Sequence, residues 1–487
     1  MGLLILDIGT TSMRGTVYDL EGNKMAVCQV PTHPVFGSNG YVFEDPADWS
    51  DNTLKIINTV IRETGKDMIE AVAITSARTS ITPVDGDGKP LMDTIMWQDT
   101  RNRSICMKLS SHNRMCFDHT GAPVNTVFSG SKMTWIRENC PELYSKVHKF
   151  LNIPEYIIYL MTGNFCSDYT YASRTGLMDI RKKVWDPDML RLYQVEEEKL
   201  CRLIEPGQIA GTVGAEFASL SGLKDGIPVI HSGGDQQCAA VGQNVVREGC
   251  VSVVLGTGGF LIAACDQVPE NLNRDVICNC SSIAGKYVIE SSVLACSAAF
   301  DWFASELYGM RENTDYYVTE SELEKEKGVT SCLVLPYFEG RGTPDWNASA
   351  KAAFLNVTLA TRRSEMFKSM MESIFMELDN HLQVFRNYTK VDKIMISGGL
   401  TASRALNQLQ ADVYGQQVHL NTEKEATTLG AYLVALTGLG YYSSVEEAGE
   451  KLGGFRSRKD YVPDMAKHVQ YAEKQKEMNR IYQLLRQ

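Results

Sequence analysis

The sequence carries one short pattern twice, once at its N-terminus and once just past its middle. In each copy an apolar segment of strand type leads into a turn of glycine and threonine, and a second strand-type segment follows. The first copy spans residues 3–18 around Gly9-Thr-Thr-Ser12, and the second spans 251–264 around Gly256-Thr-Gly-Gly259. Such a turn directs several backbone N–H groups and hydroxyls at one point, which suits phosphate oxygens, although each copy alone also fits an ordinary hairpin turn. The repeat predicts two similar α/β domains.

The length of the chain and its other segments support two domains. At 487 residues it is too long for a single ordinary core. Another strand-type segment, residues 393–397, runs into Gly398-Gly399. Three further segments are predicted to be helical: residues 188–203, 364–386 and 466–487. We therefore predict an α/β fold with an N-terminal domain over 1–244 and a C-terminal domain over 245–487.

Charge and cysteine usage argue against several classes of protein. The formal net charge of −11 disfavours a broad nucleic-acid surface, where a basic face is expected. The N-terminus lacks the basic and long apolar regions of a signal peptide, and no apolar run reaches transmembrane length. The 13 cysteines show no C-x-x-C pairs, which favours free thiols in a reducing compartment over a zinc site. We expect a cytoplasmic protein without nucleic-acid or membrane partners.

A single carboxylate stands near the end of the predicted N-terminal domain. Residues 227–231 form a strand-type run, two glycines follow, and Asp235 then precedes a segment that can be helical. This order places Asp235 at the carboxyl end of a strand, the edge at which open α/β sheets bind ligands. Two roles fit an aspartate there: the N-cap of a helix, which is the commoner one, or a general base in a cleft between the domains.

The two turns also indicate which kind of nucleotide site the chain could form. A nucleotide lying between the domains would place a phosphate against each turn. The sequence has no G-x-x-x-x-G-K-[ST] motif, and the run that begins at Gly256 fails the last position of G-x-G-x-x-G. P-loop and Rossmann nucleotide sites are therefore poorly supported.

Eight segments, in order along nearly the whole chain, resemble the motifs of the FGGY carbohydrate kinases, the family of glycerol, xylulose and gluconate kinases. Single motifs of this kind are unspecific, whereas eight in the right order are highly specific. Two departures, Asn356-Val357 for the usual Gly-Leu and Glu372-Ser373 for Glu-Gly, occupy structural positions. The eight segments are Asp7-Ile-Gly-Thr-Thr-Ser-Met-Arg14, Met96-Trp-Gln-Asp-Thr-Arg101, Ser129-Gly-Ser-Lys-Met-Thr-Trp-Ile-Arg-Glu-Asn139, Gly234-Asp-Gln-Gln237, Gly256-Thr-Gly258, Leu335-Pro-Tyr-Phe-Glu-Gly-Arg-Gly-Thr-Pro344, Ser397-Gly-Gly-Leu-Thr-Ala-Ser403 and Glu425-Ala-Thr-Thr-Leu-Gly-Ala431.

The resemblance implies an actin/Hsp70-like fold whose two domains close over ATP and a small sugar or polyol. It implies transfer of the γ-phosphoryl group of ATP with Asp235 as general base, and Asp7 as the carboxylate nearest a Mg²⁺ ion. A carboxylate with an unperturbed pKa of about 4 is ionised at neutral pH without tuning. The residues expected to contact the nucleotide are Gly9, Thr10, Thr11, Arg14, Gly256, Thr257, Gly258, Gly398, Gly399 and Ser403. Those expected to contact the acceptor are Arg78, Trp97, Asp235, Gln236 and Phe260.

Two positions separate this chain from glycerol kinases, although the pair Gln236-Gln237 leans toward that branch. Glycerol kinases carry Arg-Glu where this chain has Arg78-Thr79, and Tyr where it has Val127. These changes remove two hydroxyl partners, and sites built to hydrogen-bond a hydroxyl discriminate strongly. The Met-His-Gly motif of xylulose kinases is replaced by Ala77-Arg-Thr79. We expect a ketose or sugar alcohol of about four to six carbons, with glycerol, or an aldonate bound by Arg78, as alternatives.

Hypotheses from other classes are a sugar-sensing protein that has lost catalysis and a chaperone-like or filament ATPase. The presence of Asp7, Thr11 and Asp235 argues against the first, and the sugar-domain motifs argue against the second. Members of the family often form dimers or tetramers. A homodimer is therefore compatible with the sequence, although no segment specifies an interface.

Overall fold

Two β-sheets form the framework of the molecule. The computed structural model describes residues 1–310, 316–421, 423–455 and 459–486. The N-terminal sheet contains, in sheet order, the strands Ile209–Thr212, Pro228–Gly234, Ile69–Ser76, Gly2–Ile8, Ser12–Asp19 and Lys24–Pro31. Within the described residues, the C-terminal sheet contains Ile277–Cys280, Tyr287–Val293, Gly259–Cys265, Gly249–Leu255, Val391–Ser397, Val418–Leu420 and Lys459–Tyr461.

The strand before each glycine–threonine turn has the same two kinds of neighbour in both sheets. Gly2–Ile8 pairs antiparallel with Ser12–Asp19, across the turn, and parallel with Ile69–Ser76. The corresponding strands of the second copy are Gly249–Leu255, Gly259–Cys265 and Val391–Ser397. The repeat in the sequence is therefore a repeat in sheet topology, and the two predicted turns connect antiparallel neighbours in the two sheets.

Helices cover both sheets. Apolar residues recur along these helices at helical spacing, so each helix has an apolar face that packs into the core. The longest, Arg363–Phe385, buries Phe367, Ile374 and Leu382 in the core of the C-terminal half. The N-terminal half has helices Pro46–Thr64, Arg103–Leu109, Asn113–Thr120, Ser129–Asn139, Pro141–Tyr144, Ile153–Thr162, Tyr169–Ala172, Pro187–Tyr193, Ala215–Ser221 and Asp235–Gly242. The described part of the C-terminal half has Ser297–Tyr308, Tyr316–Lys325, Arg363–Phe385, Arg404–Tyr414, Ala426–Gly438, Val445–Lys451 and Met465–Leu485.

The helix predicted over residues 188–203 is wrong in its second half. The helix Pro187–Tyr193 ends because Gln194 takes a left-handed backbone conformation, with φ 54°, which a continuing helix does not allow. Arg202–Ile204 is a strand that pairs with Cys166–Asp168. Other short strand pairs lie outside the two main sheets: Val35–Phe36 with Val42–Glu44, Val42–Glu44 with Thr94–Ile95, Thr82–Val84 with Lys149–Leu151, Met178–Asp179 with Val184–Trp185, and Leu333–Leu335 with Ala353–Leu355.

One helix of the C-terminal half packs beneath the N-terminal sheet. Ala426–Gly438 shares a buried cluster with Leu3 and Ile5 of the first strand. It also crosses the helix Asp235–Gly242 at close range through a glycine, Gly430, where a Cβ atom would lie 1.8 Å from the Cys238 carbonyl oxygen. The two halves are therefore tied together behind the cleft, and the boundary at residues 244–245 stays a prediction.

Candidate active site

A cavity of about 360 Å³ lies between the two halves. On one side it is bounded by residues at the carboxyl ends of the neighbouring strands Ile69–Ser76 and Pro228–Gly234. The strands Gly259–Cys265 and Tyr287–Val293 of the C-terminal half close the other side. The structure brings all the residues predicted to contact the acceptor into the lining of this one cavity: Arg78, Trp97, Asp235, Gln236 and Phe260.

Asp235 is the first residue of its helix, and Gly234 occupies the N-cap position. Its Oδ1 atom accepts a hydrogen bond of 2.7 Å from the Gln236 N–H group and lies 3.5 Å from Nε of Arg78. The preceding glycines are required by space: a Cβ at residue 234 would lie 2.5 Å from Cδ of Arg78, and Gly233 has φ 105°. Asp235 is thus not the N-cap, and its carboxylate lines the cavity.

The charge state of Asp235 depends on two opposing influences. Burial raises the pKa of its carboxyl group above the ordinary value, and the Arg78 guanidinium opposes that rise. Burial therefore moves the pKa of this carboxyl group above the unperturbed value of about 4 on which the sequence-based expectation rests. A carboxylate with a raised pKa is a stronger base than aspartate in water.

The floor of the cavity contains two buried arginines held by one glutamate from the other half. Nη1 of Arg78 lies 3.1 Å from Oε1 of Glu290, and Nη1 of Arg174 lies 3.6 Å from Oε2. The Gln237 side chain donates a hydrogen bond of 3.2 Å to the same Oε1 atom. Burial and the neighbouring Arg78 lower the pKa of Arg174 to about 10, so both arginines stay cationic at neutral pH. With Asp235, the floor holds two positive and two negative charges.

A buried lysine, Lys132, holds the part of the cavity wall that contains Thr79 and Val127. Nζ of Lys132 donates hydrogen bonds to the backbone carbonyls of Val127, at 2.8 Å, and Thr79, at 3.1 Å. Burial lowers the pKa of Lys132 to about 7. Thr79 and Val127 both line the cavity. Thr79 has φ 69°, an uncommon conformation for a β-branched residue.

Three partly exposed aromatic side chains line the cavity: Trp97, Phe260 and Trp346. Trp97 is 37% exposed, Phe260 45% and Trp346 38%. The Nε1 atom of Trp97 donates a hydrogen bond of 3.0 Å to Oγ1 of Thr10, which belongs to the first glycine–threonine turn. This contact joins the predicted acceptor site to the predicted phosphate site, so that the two lie side by side.

Both glycine–threonine turns are tight. In the first, the Gly9 N–H group donates to the Ser12 carbonyl at 3.0 Å, and Thr11 is exposed. In the second, the Gly256 N–H group donates to the Gly258 carbonyl at 3.0 Å, and Thr257 is exposed. Contact of either turn with phosphate stays a prediction.

Asp7 and Arg14 lie opposite each other in the strand register. Burial and the negative charge of Asp235 raise the pKa of Asp7 to about 7. Arg14 forms an ion pair with Glu425 of the C-terminal half and donates a hydrogen bond of 2.7 Å to the Gln29 side chain. The Arg14 guanidinium, which we expect at the γ-phosphate, is therefore already paired with a carboxylate across the cleft. A bound phosphate would have to share this guanidinium with Glu425.

The predicted adenosine segment lies at the end of a C-terminal strand. Gly398 has φ 101°, and a Cβ there would lie 2.4 Å from the Leu255 carbonyl oxygen, so only glycine fits. Gly399 begins a short 3₁₀ turn. Ser403 is fully buried, and its Oγ accepts the Leu406 N–H at 3.3 Å as the cap of the helix Arg404–Tyr414. The Ser403 oxygen thus accepts a hydrogen bond from the helix, and contact of this side chain with a nucleotide stays a prediction.

Glu290 and Arg174 were missed by the sequence analysis. Glu290 is a single carboxylate in an otherwise uncharged strand, and that isolation is the one signal that could have pointed to it. Arg174 belongs to no recognisable motif. Arg78 and Glu290 lie 212 positions apart, so only the fold brings them together.

All thirteen cysteines are free thiols, as expected from their spacing. Over the part of the chain that the structure describes, none of the helices combines the length and apolar character needed to cross a membrane.

Comparison with known proteins identifies similar chains over almost the full length. Models described as "FGGY family of carbohydrate kinases", N-terminal and C-terminal domains, match residues 2–242 and 251–439. The glycerol kinase of Thermococcus kodakarensis is 28% identical over 458 residues, covering 92% of this chain and 90% of that protein.

Solved structures show the same fold. The xylulose kinase from Rhodospirillum rubrum has a TM-score of 0.94 at 23% identity, covering 100% of this chain and 99% of that one. The glycerol kinase of Plasmodium falciparum, solved with ADP, has a TM-score of 0.89 at 25% identity, covering 98% and 97%. The predicted two-domain, actin/Hsp70-like fold is confirmed by these likenesses.

Proposed function

Because the chain belongs to the FGGY family of carbohydrate kinases, we propose that it phosphorylates a hydroxyl of a neutral sugar or sugar alcohol of about four to six carbons, with Asp235 as general base. Kinases of this family are ATP-dependent, so ATP is the co-substrate. The position of Asp235 is the observation that supports the assignment. Its carboxylate lines a cavity bounded by both halves, at the start of a helix and beside a buried guanidinium.

The reaction needs little covalent help from the protein. A new bond forms between the acceptor oxygen and the γ-phosphorus, while the bond from that phosphorus to the oxygen bridging the β- and γ-phosphates breaks. The acceptor proton passes to the Asp235 carboxylate. Catalysis then depends on holding the acceptor in line and on excluding water from the closed cleft.

The environment of Asp235 suits this role. Burial strengthens the base, since it raises the pKa of the carboxyl group, and the Arg78 guanidinium opposes that rise by favouring the ionised form. The same arginine would also hold the carboxylate in one orientation.

The cleft residues fit a magnesium ion at Asp7. No described residue donates a side-chain hydrogen bond to this carboxylate, and its pKa is raised to about 7, as expected for a buried acid without a cationic partner close enough to neutralise it. Magnesium prefers oxygen ligands, keeps several waters and takes few protein ligands. When bound, it would neutralise charge on the phosphate oxygens; Asp7 would hold it through a water or directly.

The charge balance of the floor supports a neutral acceptor. Arg78 and Arg174 are already matched by Asp235 and Glu290, which leaves no surplus positive charge for a substrate carboxylate. The size of the cavity supports an acceptor larger than glycerol. At about 360 Å³ the cavity lies within the usual range of small-molecule sites, about 300–1,000 Å³, which accommodates an acceptor of four to six carbons.

Two alternative acceptors, glycerol and an aldonate, each have some support. Glycerol is favoured by the curated relatives, which include glycerol kinases, and by Trp97, Gln236 and Phe260 in the lining. It is disfavoured by Thr79 and Val127, which offer no carboxylate or phenol to its hydroxyls. An aldonate is favoured by the two arginines and disfavoured by their existing partners.

Replacing Asp235 with asparagine tests the catalytic role. The amide keeps the shape of the side chain but cannot accept the proton, so turnover should fall by about 100- to 10,000-fold, the usual contribution of a general base. Affinity for ATP and acceptor, measured by calorimetry, should change little. Asp266→Asn, at an exposed aspartate paired with Lys286, is the matched control and should keep full activity. An Asp235→Asn variant that turns over at the wild-type rate would remove Asp235 from the mechanism.

A further inference from the structure

Glu290 is the point at which the C-terminal half contacts the charged floor of the acceptor cavity. It lies in the strand Tyr287–Val293, and its carboxylate meets three side chains of the N-terminal half. Oε1 is shared by Arg78, at 3.1 Å, and Gln237, at 3.2 Å, while Oε2 faces Arg174 at 3.6 Å. Its side chain is 13% exposed, so these contacts are largely shielded from water.

We propose that Glu290 is a positioning residue for phosphoryl transfer: it holds both floor arginines and shares Arg78 with the catalytic carboxylate, so that the C-terminal half completes the acceptor site. The proposal rests on the proposed function, because it takes Asp235 as the base and the cavity as the acceptor site. Glu290 acts through its partners rather than on the reacting atoms.

Arg78 connects the two carboxylates. Its Nη1 atom faces Glu290 and its Nε atom faces Asp235 at 3.5 Å, so one guanidinium bridges residues from opposite halves. The geometry favours the contact with Glu290, which is the shorter of the two. If Glu290 lost its charge, Arg78 would be free to pair more tightly with Asp235 and would weaken it as a base.

The position of Arg174 depends more strongly on Glu290 than the position of Arg78 does. Among the described residues, Glu290 is its ion-pair partner, and the buried Nε and Nη1 atoms of Arg174 make no hydrogen bond in the protein. A buried guanidinium without a counter-charge is costly. Without Glu290, Arg174 would turn toward Asp235, its other nearby negative charge, and the floor would lose its shape.

The groups around Asp235 determine the sign of the expected change. Arg78 and Arg174 lower the pKa of Asp235, whereas Glu290 raises it. Asp7 and Tyr171 also face Asp235 electrostatically. Removing the charge of Glu290 removes one raising influence and strengthens a lowering one, so both effects shift the pKa of Asp235 downward.

The test compares Glu290→Gln, which removes the charge, with Glu290→Asp, which keeps it on a shorter side chain. With an acceptor that the wild type phosphorylates and saturating Mg²⁺–ATP, Glu290→Gln should lower kcat/KM by about tenfold or more. The acidic limb of its pH profile should move down by about one unit. Glu290→Asp should leave the acidic limb in place, because it keeps the negative charge, even though the shorter side chain lies farther from the arginines. Glu446→Gln, at an exposed glutamate paired with Arg247, is the matched control and should change neither quantity.

A second readout does not depend on turnover. In protein labelled with ¹³C-aspartate, the Asp235 carboxyl resonance can be assigned by its loss in Asp235→Asn and titrated with pH. Its midpoint should fall by about one unit in Glu290→Gln and stay in place in Glu290→Asp. An unchanged midpoint together with unchanged kcat/KM in Glu290→Gln would overturn the proposal for Glu290. A wild type that phosphorylates no sugar or polyol would overturn the proposed function instead, and the carboxyl titration would then decide on Glu290 alone.

Discussion

At the scale of single residues, the cleft contains several side chains and one backbone conformation that reduce the stability of the folded state. Asp7 lies in a strand between apolar neighbours, and burial together with the charge of Asp235 raises its pKa to about 7. Arg174 is buried beside another arginine, and Thr79 takes a left-handed backbone conformation. Such features are commonly retained where binding or catalysis needs them.

Replacing Asp7 with asparagine should stabilise the protein and inactivate it. Because the folded state holds this proton more tightly than the unfolded chain, the contribution of Asp7 to stability falls as the pH rises from about 4 to about 7. Without Mg²⁺, the melting temperature of Asp7→Asn should therefore exceed that of the wild type by roughly 2 °C or more at pH 8, and by less at pH 5. Asp225→Asn, at an exposed position, is the control. A variant no more stable than the wild type at pH 8 would show that the Asp7 carboxylate is well solvated.

The lining of the cavity predicts how to shift specificity toward glycerol. The double substitution Thr79→Glu and Val127→Tyr restores the two hydroxyl partners that glycerol kinases carry, and should raise kcat/KM for glycerol by about tenfold. The pair Thr79→Gln and Val127→Phe adds nearly the same volume without the charge or the phenol, and should give a smaller gain. Equal gains in the two variants would mean that these positions act through size alone.

At the scale of secondary-structure elements, a close helix crossing supports Asp235, the proposed general base. The helix that begins at Asp235 packs on Ala426–Gly438, with Gly242 and Gly430 at the contact. A Cβ at residue 242 would lie 2.0 Å from the Ala426 carbonyl oxygen, so neither glycine tolerates a side chain. The helix bearing Asp235 is thus fixed from behind by the other half of the chain.

Gly430→Ala should force these two helices apart. Overpacking of this kind costs about 1–3 kcal/mol, and the displaced helix carries Asp235, so both the melting temperature and kcat should fall. Gly86→Ala is the matched control, because a Cβ at residue 86 meets nothing within 4 Å. Unchanged melting temperature and activity in Gly430→Ala would show that the crossing adjusts without strain.

Sequence patterns predicted those elements whose conformation depends on residues that are neighbours in the chain. The two glycine–threonine turns and the strand, glycine pair and helix around Asp235 were identified because each is contiguous. The helix over residues 188–203 was overextended because its apolar spacing continued past Gln194, whose backbone conformation depends on packing. Arg174 and Glu290 could not be assigned to the site, since their role exists only where strands from opposite halves meet.

At the scale of the whole molecule, the proposed acceptor site belongs to neither half alone. Asp235 and Arg78 come from the N-terminal half, while Phe260 and Glu290 come from the C-terminal half. Motion of the halves would open the cavity and separate Glu290 from both arginines. If the halves move in this way, the charged floor would form only when the cleft is closed.

A coupled ADP-release assay on matched acceptors tests most directly whether the protein phosphorylates a neutral sugar or sugar alcohol with Asp235 as base. The set contains glycerol, sugar alcohols and ketoses of four to six carbons, and the aldonates of the same length, each measured with wild type and Asp235→Asn. We predict acceptor-dependent ADP release with at least one neutral sugar alcohol or ketose, at a kcat/KM about tenfold or more above glycerol and every aldonate. The Asp235→Asn signal should fall to the background level. The proposed substrate class would be contradicted if glycerol or an aldonate were the best substrate. The proposed role of Asp235 would be contradicted if Asp235→Asn kept wild-type turnover.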